Sequence, residues 1–147
     1  MEIAILGLGC FWGPEIKFSK LDGVIKTEVG YCGGSSSKTT YKDVCTGTTN
    51  HAEVVKLDFD PKIISYEKVL KYFFEIHDPT TLNSQGPDFG TQYRSEIFYL
   101  NNQQKEISDK IIKEENIKFS GKIVTKTSIV KNYCPAEEYH QKYLEKK

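Results

Sequence analysis

Two hydrophobic periods alternate along this chain, and that alternation limits the fold more than any single motif does. Glu2 to Leu8 is an apolar run that reads as a buried strand, and Val24 to Val29 alternates as a second. Between them, Cys10 opens a segment in which Phe11, Ile16 and Phe18 predict a short helix stopped by Leu21-Asp22-Gly23. Ala52 to Phe59 is a third strand ended by Asp60-Pro61; Ser65 then caps a helix that places Val69, Leu70, Phe73 and Phe74 on one face and stops at His77-Asp78-Pro79. Gln92 to Leu100 reads as a strand, Asn101 caps a helix burying Ile107, Ile111 and Ile112, Lys122 to Val130 is a strand, and Pro135 opens a last helix through Tyr143. The first six elements of this β-α-β-β-α-β-α-β-α order are the split βαβ arrangement. The expected class is therefore α+β, a two-layer ferredoxin-like sandwich with a mainly antiparallel sheet and helices on one face.

At 147 residues the chain has the length of one domain, taken here as 1–147. Twenty basic residues balance twenty acidic ones, which argues against nucleic acid or an anionic membrane as a partner. The apolar start is too short to span a bilayer and no Lys or Arg precedes it, so neither a signal peptide nor a membrane segment is expected. Four cysteines, Cys10, Cys32, Cys45 and Cys134, form no Cys-x-x-Cys pair and stand apart from His51, His77 and His140. That spacing suits no metal, and a chain this hydrophobic needs no disulfide staples; reduced thiols in a cytoplasmic monomer are expected.

The chemistry concentrates at Gly9-Cys10-Phe11-Trp12-Gly13. A cysteine at a helix start faces unpaired backbone N–H groups and the positive end of the helix dipole, which favour thiolate. Phe11 and Trp12 beside it offer aromatic faces to a small apolar or sulfur-containing group. The polar loop Gly30 to Asn50 is too long for a hairpin turn and is expected to be ordered and functional. After it, Glu53 enters a strand among apolar neighbours; if it points inward, its pKa rises and it serves as a general acid, and if outward it is a solvated strand end.

The segments Gly9-Cys10-Phe11-Trp12-Gly13, Gly30-Tyr31-Cys32-Gly33-Gly34, Thr40-Tyr41 through Cys45-Thr46-Gly47, His51-Ala52-Glu53-Val54, His77-Asp78-Pro79, Gly90-Thr91-Gln92-Tyr93-Arg94-Ser95, Pro135-Ala136-Glu137 and Tyr139-His140-Gln141 resemble, in order, those of the peptide methionine sulfoxide reductase A family. The resemblance implies reduction of the S epimer of methionine sulfoxide, free or in peptides and proteins, without a cofactor. It casts Cys10 as the nucleophile, Glu53 as the acid, and Tyr41 and Tyr93 as donors to the sulfoxide oxygen. Phe11 and Trp12 match the cradle for the substrate methyl group, and Asp88 falls where the family has an acidic residue near the pocket. Attack leaves Cys10 as sulfenic acid.

Many relatives resolve that sulfenic acid with cysteines in a glycine-rich tail, and the residues Leu144-Glu145-Lys146-Lys147 do not match such a tail. Cys32 and Cys134 are possible resolving thiols at positions without precedent, whereas Cys45 matches a common family cysteine and is expected to be packed. An external thiol is the favoured reductant, glutathione with glutaredoxin ahead of thioredoxin, with sulfenic acid accumulating in its absence. Two rival classes are a methionine-binding module, which needs no thiolate, and a thiol peroxidase or glutathione transferase, which needs neither Glu53 nor the tyrosines.

Overall fold

The computed structural model describes residues 1–34, 39–45 and 49–144. The serine run of the Gly30 to Asn50 loop, residues 46–48 and the last three residues therefore lie outside it. The chain forms an α+β unit around a mixed six-stranded sheet. Its strands are β1 (Glu2–Leu8), β2 (Val24–Cys32), β3 (Ala52–Phe59), β6 (Ser95–Tyr99), β7 (Lys126–Ile129) and β8 (Cys134–Pro135), in the spatial order β7-β6-β1-β3-β2-β8. A two-stranded hairpin of β4 (Ser84–Gln85) and β5 (Asp88–Phe89) stands apart. The helices are α1 (Trp12–Ser19), α2 (Tyr41–Cys45), α3 (Tyr66–Glu75) and α4 (Asn102–Lys118). The sheet is not uniformly antiparallel, because β7 runs parallel to β6 along Glu96↔Lys126 to Tyr99↔Ile129.

Alternation along the strands sorts the core onto two faces. Ala4, Leu6, Leu8, Val29, Tyr31, Val55, Leu57 and Ile97 share a face with Phe18 of α1, Val69, Leu70, Phe73 and Phe74 of α3, and Ile111 of α4. Ile5, Cys32, Ala52, Val54 and Phe98 form a smaller cluster on the other face. Where the period was strong the elements form as read. Ser65 Oγ accepts the Lys68 N–H at 3.1 Å and Asn101 Oδ1 accepts the Gln104 N–H at 2.9 Å, both N-cap bonds. Of the isoleucines expected in α4, Ile111 is buried and Ile107 and Ile112 only partly so.

Four elements depart from expectation, three of them where hydrogen bonds to other elements take the backbone elsewhere. No last helix runs from Pro135 to Tyr143; Cys134–Pro135 instead pairs with the edge of β2, and only Glu138–His140 makes a 3₁₀ turn. Gln141 completes that edge from its side chain, its Oε1 accepting the Val29 N–H and its Nε2 donating to Val29 O, both at 2.9 Å. The strand expected from Lys122 starts at Lys126, because Ile123 N–H donates to Asn116 Oδ1 and Val124 N–H to Pro79 O. The strand expected from Gln92 starts at Ser95, after a 3₁₀ turn over Thr91–Tyr93. β2, finally, continues past Val29 through Gly30-Tyr31-Cys32, a stretch assigned to the loop by its polarity downstream. Gly30 is needed there, since a Cβ would lie 2.6 Å from Cys134 O of the adjoining β8.

Candidate active site

Strand register brings together residues that are far apart in sequence. Leu8 at the end of β1 pairs with Ser95 at the start of β6, and Glu53 at the start of β3 pairs with Tyr31 of β2. The segments carrying Cys10, Glu53 and Tyr93 therefore meet at one end of the sheet. Glu53 takes the same face as Val55 and Tyr31, the face that α1 covers. Its Oε1 accepts the Phe11 N–H at 3.3 Å, which fixes the carboxyl beside the Cys10 segment.

The backbone at Gly9 (φ +99°) suits glycine, and a Cβ there would lie 2.8 Å from Cβ and Cγ of Gln85. That close approach lets the β4–β5 hairpin, in which Gln85 pairs with Asp88, lie against the Gly9-Cys10 segment. Gly9→Ala combines left-handed strain with displacement of Gln85 and should lower the melting temperature by about 3–10 °C. Thermal unfolding checks it; a shift within about 1 °C would mean that Gln85 yields freely.

Cys10 is half-buried and lies before the helix rather than in it, since α1 begins at Trp12 with Phe11 as its cap. Burial pushes the Cys10 thiol up to about 11; the Trp12 backbone N–H donating to the sulfur opposes this, and the charges of Glu53, Asp88 and Cys45 add to it. The helix-start thiolate expected from sequence is thus a thiol in the resting protein, because desolvation outweighs the donor. Glu53 is wholly buried, and burial pushes its carboxyl up to about 8, against the Phe11 N–H and with help from the Asp88 charge. The acid is neutral at neutral pH, and its Oε2 is buried without a partner.

Around this pair the structure gathers most of the residues singled out from sequence. The Tyr41 and Tyr93 hydroxyls are hydrogen-bonded to each other, and the pKa of each is raised, first by burial and also by the Glu53 charge, so both stay donors. Asp88, on β5, is partly buried and its charge is felt at Cys10, Glu53 and Tyr93. Phe11 is buried against Tyr31 and His140, with ring centroids 5.8 and 5.3 Å away. Trp12, half-buried, stacks on Tyr143 at 3.9 Å and donates its indole N–H to His140 Nδ1 at 3.1 Å.

His140, Tyr143 and Glu137 are supporting residues to which sequence reasoning gave no role. Glu137 Oε1 accepts the Tyr31 hydroxyl at 2.9 Å and its Oε2 accepts the Tyr41 N–H at 3.0 Å, so one carboxylate holds both tyrosine segments. His140 and Glu137 stood within matching segments, which was their only signal. The two expected resolving thiols are placed differently from each other. Cys32 is buried on the opposite sheet face, its Sγ donating to Lys131 O at 3.4 Å. Cys134 is on β8 with its Sγ toward Thr39 O and Pro135 O. Cys45, expected to be packed, is exposed at the end of α2. A groove of about 780 Å³, lined by Phe74, His77, Asp78 and Phe119 among others, includes none of the residues of this cluster.

A family model described as peptide methionine sulfoxide reductase matches residues 2–147. The chain is 80% identical over 147 residues to the peptide methionine sulfoxide reductase MsrA of Pelagibacter ubique, covering 100% of both proteins. Among solved structures, that of Mxr1 from Saccharomyces cerevisiae in reduced form superposes with a TM-score of 0.93 at 44% identity, over 99% of this chain and 84% of that one. The same yeast protein in complex with Trx2 gives a TM-score of 0.68 at 30% identity, over 97% and 84%.

Proposed function

Because this chain belongs to the peptide methionine sulfoxide reductase family and reduces methionine sulfoxide to methionine, we propose that Cys10 is the nucleophile and Glu53 the acid of that reaction, acting on the S epimer. The carrying observation is Glu53: a wholly buried carboxyl, protonated at neutral pH, with one oxygen unpartnered and the other accepting the N–H of Phe11, the residue after Cys10. A buried acid without a full set of partners is costly unless it has work to do.

The Cys10 sulfur attacks the sulfoxide sulfur while Glu53 delivers its proton to the sulfoxide oxygen and Tyr41 and Tyr93 donate to it. The substrate S–O bond and the transient S–S bond from Cys10 then break as the hydroxyl passes to Cys10 and methionine leaves: the substrate sulfur gains two electrons and Cys10 becomes sulfenic acid. Phe11 and Trp12 cradle the substrate methyl group, with Asp88 at the pocket rim. The peroxidase, transferase and pure-binder alternatives lose ground here, since none needs this acid and two tyrosines against the thiol. A thiol reductant closes the cycle. Thioredoxin is favoured among reductants by the solved complex of the yeast relative with Trx2, glutaredoxin being the alternative. The reading is of a single catalytic domain acting as a cytoplasmic monomer, its central strands β6-β1-β3-β2 a split βαβ core. Turnover of each epimer of a methionine sulfoxide peptide with dithiothreitol tests it; equal use of both epimers would count against the pocket described.

The two pKa values set a pH profile. Attack needs thiolate at Cys10 and a proton on Glu53, so the pair must hold one proton in all. The free pair holds two protons below about 8, one between about 8 and about 11, and none above. Accordingly kcat/KM should rise with pH through about 8, level off, and fall near 11. Stopped-flow measurement of methionine formation at low substrate reads this directly; a maximum on the acid side of neutrality would contradict it.

A further inference from the structure

The mechanism leaves one exposed nucleophile unused at the edge of the site. Cys45 is the last residue of α2 and Tyr41 the first, so the two lie four apart on one face of that turn. That face looks into the site: the Tyr41 ring packs on His140 at 4.5 Å, His140 packs on Phe11 at 5.3 Å, and Phe11 adjoins Cys10. The Cys45 side chain is hydrogen-bonded with that of Tyr41, which also contacts Tyr93. A charge on Cys45 is felt at Cys10 and at Tyr93, which places this thiol in the same electrostatic neighbourhood as the nucleophile. The alternatives are held elsewhere: Cys32 on the far sheet face with its Sγ on Lys131 O, and Cys134 at the β8 edge facing Thr39 O.

From this placement we infer that Cys45 is the thiol that resolves oxidised Cys10. The inference rests on the assignment of Cys10 as nucleophile. In the step, Cys45 sulfur attacks the sulfenic sulfur of Cys10; an S–S bond forms, the S–OH bond breaks, and the hydroxyl leaves as water with the thiol proton of Cys45. Cys45 is oxidised and Cys10 reduced by one level each, the oxidant being the methionine sulfoxide already consumed. Closure needs the two Cα atoms within the usual disulfide span of about 4.4–6.8 Å. The resulting disulfide presents an exposed sulfur, that of Cys45, to a dithiol reductant of the thioredoxin kind, which reverses the order of reductants expected from sequence.

The test is one equivalent of S-sulfoxide peptide added to the reduced full chain without reductant, with dimedone present, followed by peptide mapping. The expected product is a Cys10–Cys45 disulfide, with the dimedone adduct at Cys10 below about a tenth of the protein. The Cys45→Ser variant should shift the product to the Cys10 adduct in near-stoichiometric amount, while Cys32→Ser and Cys134→Ser still give the disulfide. Release of one equivalent of methionine by the same samples shows that each variant has folded. Dimedone adduct at Cys10 as the main product of the parent, or a disulfide from Cys10 to Cys32 or Cys134, would overturn the role of Cys45 and leave Cys10 as nucleophile. Methionine release with Cys10 unmodified would overturn the nucleophile assignment, and the inference with it.

Discussion

Cys10→Ser is expected to lower methionine sulfoxide reduction by at least about a thousandfold, equivalent to about 4 kcal/mol of barrier. The loss is chemical rather than structural. Sulfur at this position accepts the substrate oxygen as a sulfenic acid, whereas a serine would have to form an O–O bond. Its hydroxyl would also remain protonated in a site where burial already holds the better acid, cysteine, up to about 11. Ser is close to Cys in size, so the variant should fold, which circular dichroism and a melting curve near that of the parent would show. Residual turnover above about one per cent of the parent, with dithiothreitol as reductant, would remove Cys10 from the role.

The second large effect is at Glu53. Glu53→Ala should cost about a hundred- to ten-thousandfold in the rate of methionine formation, the range over which a positioned acid contributes. Glu53→Gln should cost less, because its amide can still donate a hydrogen bond to the sulfoxide oxygen although it has no proton to transfer. The rise in kcat/KM near pH 8 should also disappear in both variants, since the group that titrates there is gone. A general acid predicts this loss, and a merely structural carboxylate does not. Rates of both variants within about threefold of the parent would return Glu53 to the status of a buried strand residue.

What could be read from sequence divides along a physical line. α3 was legible to its cap because Ser65 and the buried set Val69, Leu70, Phe73 and Phe74 satisfy local rules that nothing tertiary overrides. The stretch from Pro135 to Tyr143 looked helical by the same rules and is not, because the free edge of β2 competes for its backbone and wins through β8 and the Gln141 side chain. The site shows the same division. Residue type and position pointed to Cys10 and Glu53, and the family resemblance to Tyr41 and Tyr93; the fold gathers all four. The protonation of Cys10 was read with the wrong sign, since helix position is visible in sequence and depth of burial is not. The exposure of Cys45 was hidden for the same reason, and His140 and Glu137 carry no local signature of what they hold.

The contacts that complete the cradle have a consequence for how the enzyme is made. Trp12 is held by His140, 128 positions downstream. Glu15, next to it on α1, accepts the Lys142 N–H across 127 positions, and Val29 is bracketed by Gln141 across 112. A ribosome releasing this chain from its N-terminus therefore exposes Cys10 early and its aromatic surround late. The emerging strands and helices can collapse while translation continues, but the pocket has no wall on the His140 side until nearly the whole chain is out. Chains interrupted after Cys134 would lack His140, Gln141 and Lys142, and with them the contacts that hold Trp12, Val29 and Glu15.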